Sequence, residues 1–355
     1  MLTLVRGGMG GSETYALELT RQLAGSERVR ARAYVPDSAA GFSRGVPEIA
    51  ISGLRGGHST LSRVRLLASV AAKSRSIRSQ MSACDVVHFP FTVPLPRPRA
   101  AAGFVQTLLD VQHLDLPGLF SRTELRYRRL FYEGAAARAD IVLTISEFAR
   151  GRMLDLLDLD PERVRVAPLG VDVSAFAPHD GPRENFVLYP ARGWGHKNHA
   201  RLFEAMKLVR AERPNMRLVL TGGALESLGD LPEWVDRLGI VPGEELHRLY
   251  RCAAVLAFPS LYEGFGLPPI EAMASGCPVA ASNATSVPEV CGDAAVLFDP
   301  EDPEAIATGI LEALGRAPEL YAKGLARAAR MTWERCRDVH ILAYEDAAAR
   351  ARARV

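Results

Sequence analysis

The sequence predicts an α/β protein of two Rossmann-like domains, each with a parallel sheet, facing a central cleft. Three observations predict it. Short apolar runs alternate with longer stretches of helical periodicity, the order that lays parallel strands beneath helices on both faces. That alternation stops across Pro168–Pro182, where three prolines and two glycines leave little periodicity, and then restarts. The chain has 355 residues, roughly twice the length of a common domain. With 48% hydrophobic and 24% charged residues, the composition is that of a globular protein and excludes collagen-like, disordered and disulfide-scaffold classes.

In the first half, strands are expected at Leu2–Val5, Val29–Val35, Val86–Phe89, Phe104–Leu108, Ile141–Thr144 and Val164–Ala167. Helical periodicity covers 11–24, 61–81, 122–138 and 147–157. After the linker come strands Phe186–Tyr189, Leu218–Thr221, Val255–Phe258, Val279–Ala281 and Ala295–Phe298, with helices 199–212, 244–252, 303–315 and 334–350. A further helix opens near Pro268 or Pro269, which suit a first helical turn, and ends at Gly276. The expected domains are therefore 1–169 and 170–334.

Five scattered cysteines show no CxxC pair, which argues against a zinc site or a disulfide framework and points to a reducing cytoplasm. The start, MLTLVRGGMGG, has no apolar run of signal-peptide length, and no stretch suits a bilayer span. Residues 1–170 carry 23 Lys and Arg against 16 Asp and Glu; residues 171–355 carry 20 against 25. Between Ile49 and Cys84 there are six basic residues and no acidic one. This basic stretch is either a solvated face or a surface for an anionic lipid or phosphorylated substrate, with peripheral contact at the inner membrane face. Arg63 and Arg78 fall within the apolar arc of 61–81, against an amphipathic membrane helix. No aromatic residues interleave the charges, against nucleic-acid binding.

Three segments carry chemistry. Gly7-Gly8-Met9-Gly10-Gly11, between a strand and a helix, lets a backbone approach an anion at a helix N-terminus. It lacks the dinucleotide spacing and its acidic partner. Arg192 and Lys197, five residues apart with glycines between them, can straddle a diphosphate. Glu263-Gly264-Phe265-Gly266-Leu267 follows a strand, and Glu271 lies eight residues after Glu263. Such carboxylates accept hydrogen bonds from sugar or ribose hydroxyls, at the strand ends where α/β sheets bind ligands.

The stretch PSLYEGFGLPPIEAMASGCPVAAS, with two glutamates separated by seven residues, resembles the donor signature of retaining GT-B glycosyltransferases, family four. Supporting matches are TISEFAR at 144–150, VRVAPLGVD at 164–172, YPARGWGHKNHARLFEAM at 189–206, VLTGG at 219–223, VPEVCGDAAVLFDP at 287–300 and TWERC at 332–336. The resemblance implies the GT-B fold, its first domain completed by a C-terminal helix at about 335–355. It places Glu263 by the donor sugar, Glu271 on the nucleotide ribose, and Arg192 and Lys197 on the diphosphate. The backbone of Gly264, Phe265, Gly266 and Leu267 would face sugar and phosphates, with Gly10 and Gly11 completing the site. Leu109 stands where many relatives carry histidine. Asp110, Gln112 and His113 resemble the Asp-x-Gln-His variant of mannosyl- and rhamnosyltransferase-like members. Asp110, then His113, is the candidate on the acceptor side; a purely structural role fits His113 as well.

The implied activity is retaining transfer of a hexose or deoxyhexose from a nucleotide sugar to a glycan, lipid-linked or small-molecule hydroxyl. No metal or other cofactor is expected. Asp158 and Asp160 have DxD spacing but read as a helix-end turn. A nucleotide-sugar epimerase of the same fold and a non-catalytic nucleotide-sugar-binding protein are the competing readings.

Overall fold

The computed structural model describes residues 1–7, 10–55, 57, 60–178 and 181–354. They fold as two compact units, Met1–Leu169 with Trp333–Val355, and Gly170–Thr332.

The first unit opens on α1 (Gly11–Ala24), whose buried face is Tyr15, Ala16, Leu19, Thr20 and Leu23. Its parallel strands form two sheets. β1 (Ala33–Pro36) pairs with β2 (Glu48–Ile51). After α2 (Thr60–Ala72) and α3 (Ser74–Gln80) come β3 (Val86–Phe89), β4 (Gly103–Thr107), β5 (Ile141–Thr144) and β6 (Val164–Val166), in that order across a four-stranded sheet. Between β4 and β5 lie α4 (Gln112–Asp115), α5 (Arg122–Arg128), a π-helical turn at Arg129–Glu133, and α6 (Gly134–Ala136). α7 (Glu147–Leu156) follows β5, capped by the Ser146 side chain, which accepts the Ala149 N–H at 3.0 Å.

Three expectations are corrected here. Leu2–Val5 is not a strand: the Leu4 N–H bonds the Met1 carbonyl at 3.2 Å, which curls the segment. Leu2 and Leu4 then bury into two different apolar clusters. A cavity of about 820 Å³ is lined by Leu2, by Ala33 and Tyr34 of β1 and by Val86–Phe89 of β3. The helix expected over 61–81 breaks at Lys73 into α2 and α3. Ile77 is buried while Arg78, with Arg65, Lys73 and Arg75, is exposed; the side chain of Arg63 lies outside the described residues. The single helix expected over 122–138 is interrupted by the π turn.

The second unit is one six-stranded parallel sheet. Its elements are β7 (Glu184–Pro190), α8 (His199–Glu212), β8 (Arg217–Thr221), β9 (Val235–Gly239), α9 (Gly243–Cys252), β10 (Ala253–Phe258), α10 (Leu267–Ala274), β11 (Val279–Ser282), α11 (Val287–Cys291), β12 (Val296–Phe298), α12 (Pro303–Gly315) and α13 (Ala317–Ala328). The order β12-β11-β10-β7-β8-β9 is that of a doubly wound dinucleotide-type sheet. The central strands β7 and β10 read as near-continuous apolar runs because helices cover both faces.

The chain then returns to the first unit. α14 (Trp333–Arg352) packs on β4, β5 and α1 through a stripe of Trp333, Cys336, His340, Ala343, Ala347 and Ala351. The approach is close: a Cβ on Gly103 would lie 2.7 Å from the Ala347 carbonyl oxygen.

A chain of buried hydrogen bonds joins these elements, and its direction can be assigned. His340 Nδ1 lies 2.7 Å from the Cys336 carbonyl, which can only accept, so Nδ1 carries the proton. His340 Nε2 then accepts from the Tyr15 hydroxyl at 2.7 Å, and Tyr15 accepts from Thr107 at 2.8 Å. Thr107 accepts from His88 Nε2 at 2.7 Å, and His88 Nδ1 accepts from Tyr344 at 2.9 Å. Both rings are neutral in this arrangement, in keeping with burial, which pulls His340 down to about 4 and His88 well below the usual histidine value.

Candidate active site

In the second unit the chain reverses its winding between β7 and β10. β8 follows β7 on one side, β11 follows β10 on the other, and the loops after the two central strands diverge. Ligands of open α/β sheets bind at such a switch point. The loop after β7 carries Arg192 and Lys197, and the loop after β10 carries Glu263 through Gly266.

Lys197 and Glu263 meet there. Lys197 Nζ lies 2.6 Å from Glu263 Oε1, with side chains 15% and 13% exposed. Around this pair the two loops are tied together. Asn198, held at φ 63°, donates through Nδ2 to the carbonyls of Pro259 at 3.0 Å and Pro300 at 2.6 Å. The Leu261 N–H bonds the His196 carbonyl at 2.8 Å. The buried Tyr189 hydroxyl donates to the Lys197 carbonyl at 2.6 Å. The glycine after Arg192 is a packing requirement, since a Cβ on Gly193 would lie 2.1 Å from the Ala224 carbonyl oxygen. Arg192 itself lies over the exposed Trp194 ring, 5.2 Å from its centroid.

Burial first, and then the Lys197 charge, lower His196 and His199 to about 4. Both are neutral near pH 7, so Arg192 and Lys197 supply the positive charge. Gly266, at φ 98°, precedes α10, whose N-terminus has no side-chain cap. Phe265 and Leu267 are buried, anchoring the loop from behind; Gly264 is half-buried. Glu271, on α10, accepts a 2.6 Å hydrogen bond from the Tyr250 hydroxyl. Burial pushes its carboxyl up to about 7.

The other candidates belong to the first unit. Gly10, at φ 57°, precedes α1 and Gly11 begins it; the Gly7 N–H bonds Glu13 Oε1 at 3.0 Å. Gly8 and Met9 of the same run lie outside the described residues. Asp110 is half-buried after β4, with Oδ1 accepting the Gln112 N–H at 3.1 Å. His113 is buried against the Tyr132 ring, its Nε2 3.4 Å from Glu133 Oε1. Burial, then the Arg128 charge, lowers it to about 4. Asp160 caps the turn Pro161–Arg163 by accepting the Glu162 N–H at 2.9 Å. Among the described residues, no group of three or more His, Cys, Asp or Glu could hold a metal ion. No helix among them is long and apolar enough to cross a membrane.

Sequence reasoning missed Tyr189, Asn198, Tyr250, Thr285 and Ser286. Of these, Tyr189 and Asn198 sat inside a recognised motif, neither with a role assigned to it. Tyr250 closes a helix of ordinary polarity, and Thr285 and Ser286 belong to a polar run after β11.

Two family descriptions match the chain: Glycosyltransferase Family 4 over residues 9–175, and Glycosyl transferases group 1 over 175–330. The O-antigen chain mannosyltransferase B of Escherichia coli is 32% identical over 266 residues, 68% of this chain and 70% of the relative. The chain belongs to the group 1 glycosyltransferases. An MMP alpha-(1->4)-mannosyltransferase of Mycolicibacterium hassiacum is 34% identical over 60% of this chain, although the matched part is only 55% of that relative.

Solved structures agree on the fold of this glycosyltransferase. Sucrose-phosphate synthase from Thermosynechococcus elongatus superposes with a TM-score of 0.71 at 20% identity, covering 95% of this chain and 93% of the other. HepE of Anabaena, in complex with UDP and glucose, gives 0.70 at 18% identity, covering 94% and 95%. The lipopolysaccharide glycosyltransferase WaaG gives 0.68 at 16% identity, with the same coverage. The fold is GT-B.

Proposed function

We propose that this glycosyltransferase moves a mannose- or rhamnose-like sugar from a nucleoside diphosphate donor to a hydroxyl of a glycan, lipid-linked or small-molecule acceptor, with retention and without a metal. The observation that carries the reading is the Lys197–Glu263 pair at the switch point of the second unit, where the loop that holds Lys197 also carries Arg192. The mannosyltransferase relatives support the sugar, and HepE, solved with UDP and glucose, supports a nucleotide-sugar donor.

In transfer, the bond from the anomeric carbon to the diphosphate breaks and a bond to the acceptor oxygen forms. Negative charge grows on the leaving diphosphate. Arg192, Lys197 and backbone N–H groups at the start of α10 neutralise it where it develops, which is where preorganised electrostatics gain most. Glu263 holds the Lys197 ammonium in place and faces the donor sugar. Glu271, oriented by Tyr250, accepts from ribose hydroxyls. Asp110 binds the acceptor hydroxyl; the proton passes either to Asp110 or, in a same-face substitution, to the leaving phosphate. Two fixed cations make a metal dispensable. The exposed basic side chains of α2 and α3 suit an anionic acceptor or the headgroups of the inner membrane face.

The test is thermal stabilisation by UDP, GDP, dTDP, ADP and NAD with EDTA present. Ligand at about 100 times its dissociation constant adds about 2.7 kcal/mol. A shift with one nucleoside diphosphate supports a metal-free donor site and narrows the sugar. A shift with NAD alone overturns the reading.

A further inference from the structure

The loop after β11 holds two consecutive side chains whose hydrogen bonds all lead to one place. Thr285 sits at φ 55°, the left-handed region that β-branched residues avoid and glycine enters freely. Its Oγ1 accepts the N–H of Glu263 at 3.1 Å. Ser286 is fully buried, and its hydroxyl lies 3.0 Å from the carbonyl oxygens of both Glu263 and Phe265, on either side of Gly264. Two neighbouring side chains thus hold three backbone groups of the Glu263–Phe265 turn. The Glu263 carboxylate is at the same time fixed from its other end by Lys197.

We propose that Thr285 and Ser286 are positioning residues for the donor loop, holding the Glu263 backbone so that its carboxylate meets Lys197. Thr285 keeps its strained backbone because only there does its hydroxyl reach the Glu263 amide. Strain of this kind persists where the surroundings over-determine it, and it collects at working sites. The inference deepens the proposed function and rests on it.

The test compares T285S, T285G and S286A with the wild type. T285S keeps the hydroxyl; T285G removes it and relieves the left-handed strain together. Amide hydrogen exchange of the 259–266 segment and transfer kinetics are measured on the same preparations. In T285G, exchange of that segment rises and kcat falls by about tenfold, whereas the donor KM changes by less than about twofold, the signature of lost alignment in the transition state. T285S stays within about twofold of wild type in kcat, since the hydroxyl is retained. S286A behaves as T285G does. Wild-type exchange and kcat in T285G overturn the proposal, as does a loss in T285S equal to that in T285G. Should S286A fail to fold, the T285S and T285G comparison decides alone. If the wild type transfers no sugar from any donor, the functional reading falls, and exchange at 259–266 still judges the clamp.

Discussion

The two units assemble parallel strands in different ways. In Gly170–Thr332, six strands share one sheet in doubly wound order, and its switch point brings a lysine and a glutamate together on loops tied by side-chain and backbone hydrogen bonds. In the other unit the strands divide into a pair and a set of four, with a cavity between β1 and β3. Cohesion there leans on α14 and on the directed hydrogen-bond chain from Tyr344 to Cys336. The contrast teaches that a continuous sheet makes its own crevice for chemistry, whereas a divided one needs a strut from elsewhere in the chain.

If that contrast is right, the units respond to different insults. The largest effect is expected at the switch point. Lys197→Ala removes a cation from the growing charge and should lower kcat by about 100- to 1000-fold, the scale of a lost transition-state contact. Release of nucleoside diphosphate reads it, and a variant keeping more than a tenth of wild-type turnover would remove Lys197 from the mechanism.

Acid comes next. His340, like His199, titrates at about 4 in the fold against an ordinary value near 6.5. A lowered value means the neutral ring is stabilised by folding, so the contribution is complete above about pH 6.5 and is lost as pH falls toward 4. For fully buried His340 this amounts to about 3 kcal/mol when complete. Protonation also breaks the hydrogen-bond chain, because Nε2 can no longer accept from Tyr15. Urea midpoints that are equal at pH 7 and pH 5 would show that these rings do not couple to folding.

Tyr15→Phe probes the strut directly. It leaves His340 Nε2 without its donor and should cost about 1–3 kcal/mol in urea denaturation, with turnover per folded molecule unchanged. A fall in turnover without a fall in stability would reverse the division of labour. The smallest effect is expected from Arg28→Ala. It breaks an ion pair with Glu345 at 2.8 Å whose side chains are 51% and 49% exposed, worth about 0.2–1 kcal/mol at low salt and less at high salt. A loss above 2 kcal/mol would make this surface contact part of the strut.

Much of the second unit was legible because its central strands are apolar on both faces and helices such as α10 and α12 open on prolines. α8 and α12 begin and end where periodicity puts them. β9 escaped notice because Val235–Gly239 is an edge strand with one buried residue. β2, with Ile51 its one buried residue, was missed for the same reason. Leu2–Val5 misled because alternation of leucine with polar residues describes a strand, while the turn closing Leu4 onto Met1 is a local event that periodicity does not register. At the site, Arg192, Lys197, Glu263 and Glu271 announced themselves through charge set among glycines. Thr285 and Ser286 did not, since a hydroxyl gains meaning only from the backbone it reaches, here 22 and 23 residues away in sequence.

The return of α14 has a consequence for biosynthesis. The unit containing residue 1 is discontinuous, with everything from Gly170 to Thr332 spliced into it. A ribosome therefore finishes the inserted unit before it delivers the helix that supports the first. During that interval the faces of α1, β4 and β5 that α14 covers have no cover from this chain. Nascent chains halted near residue 332 should consequently hold a protease-resistant second unit beside a first unit that still recruits chaperones.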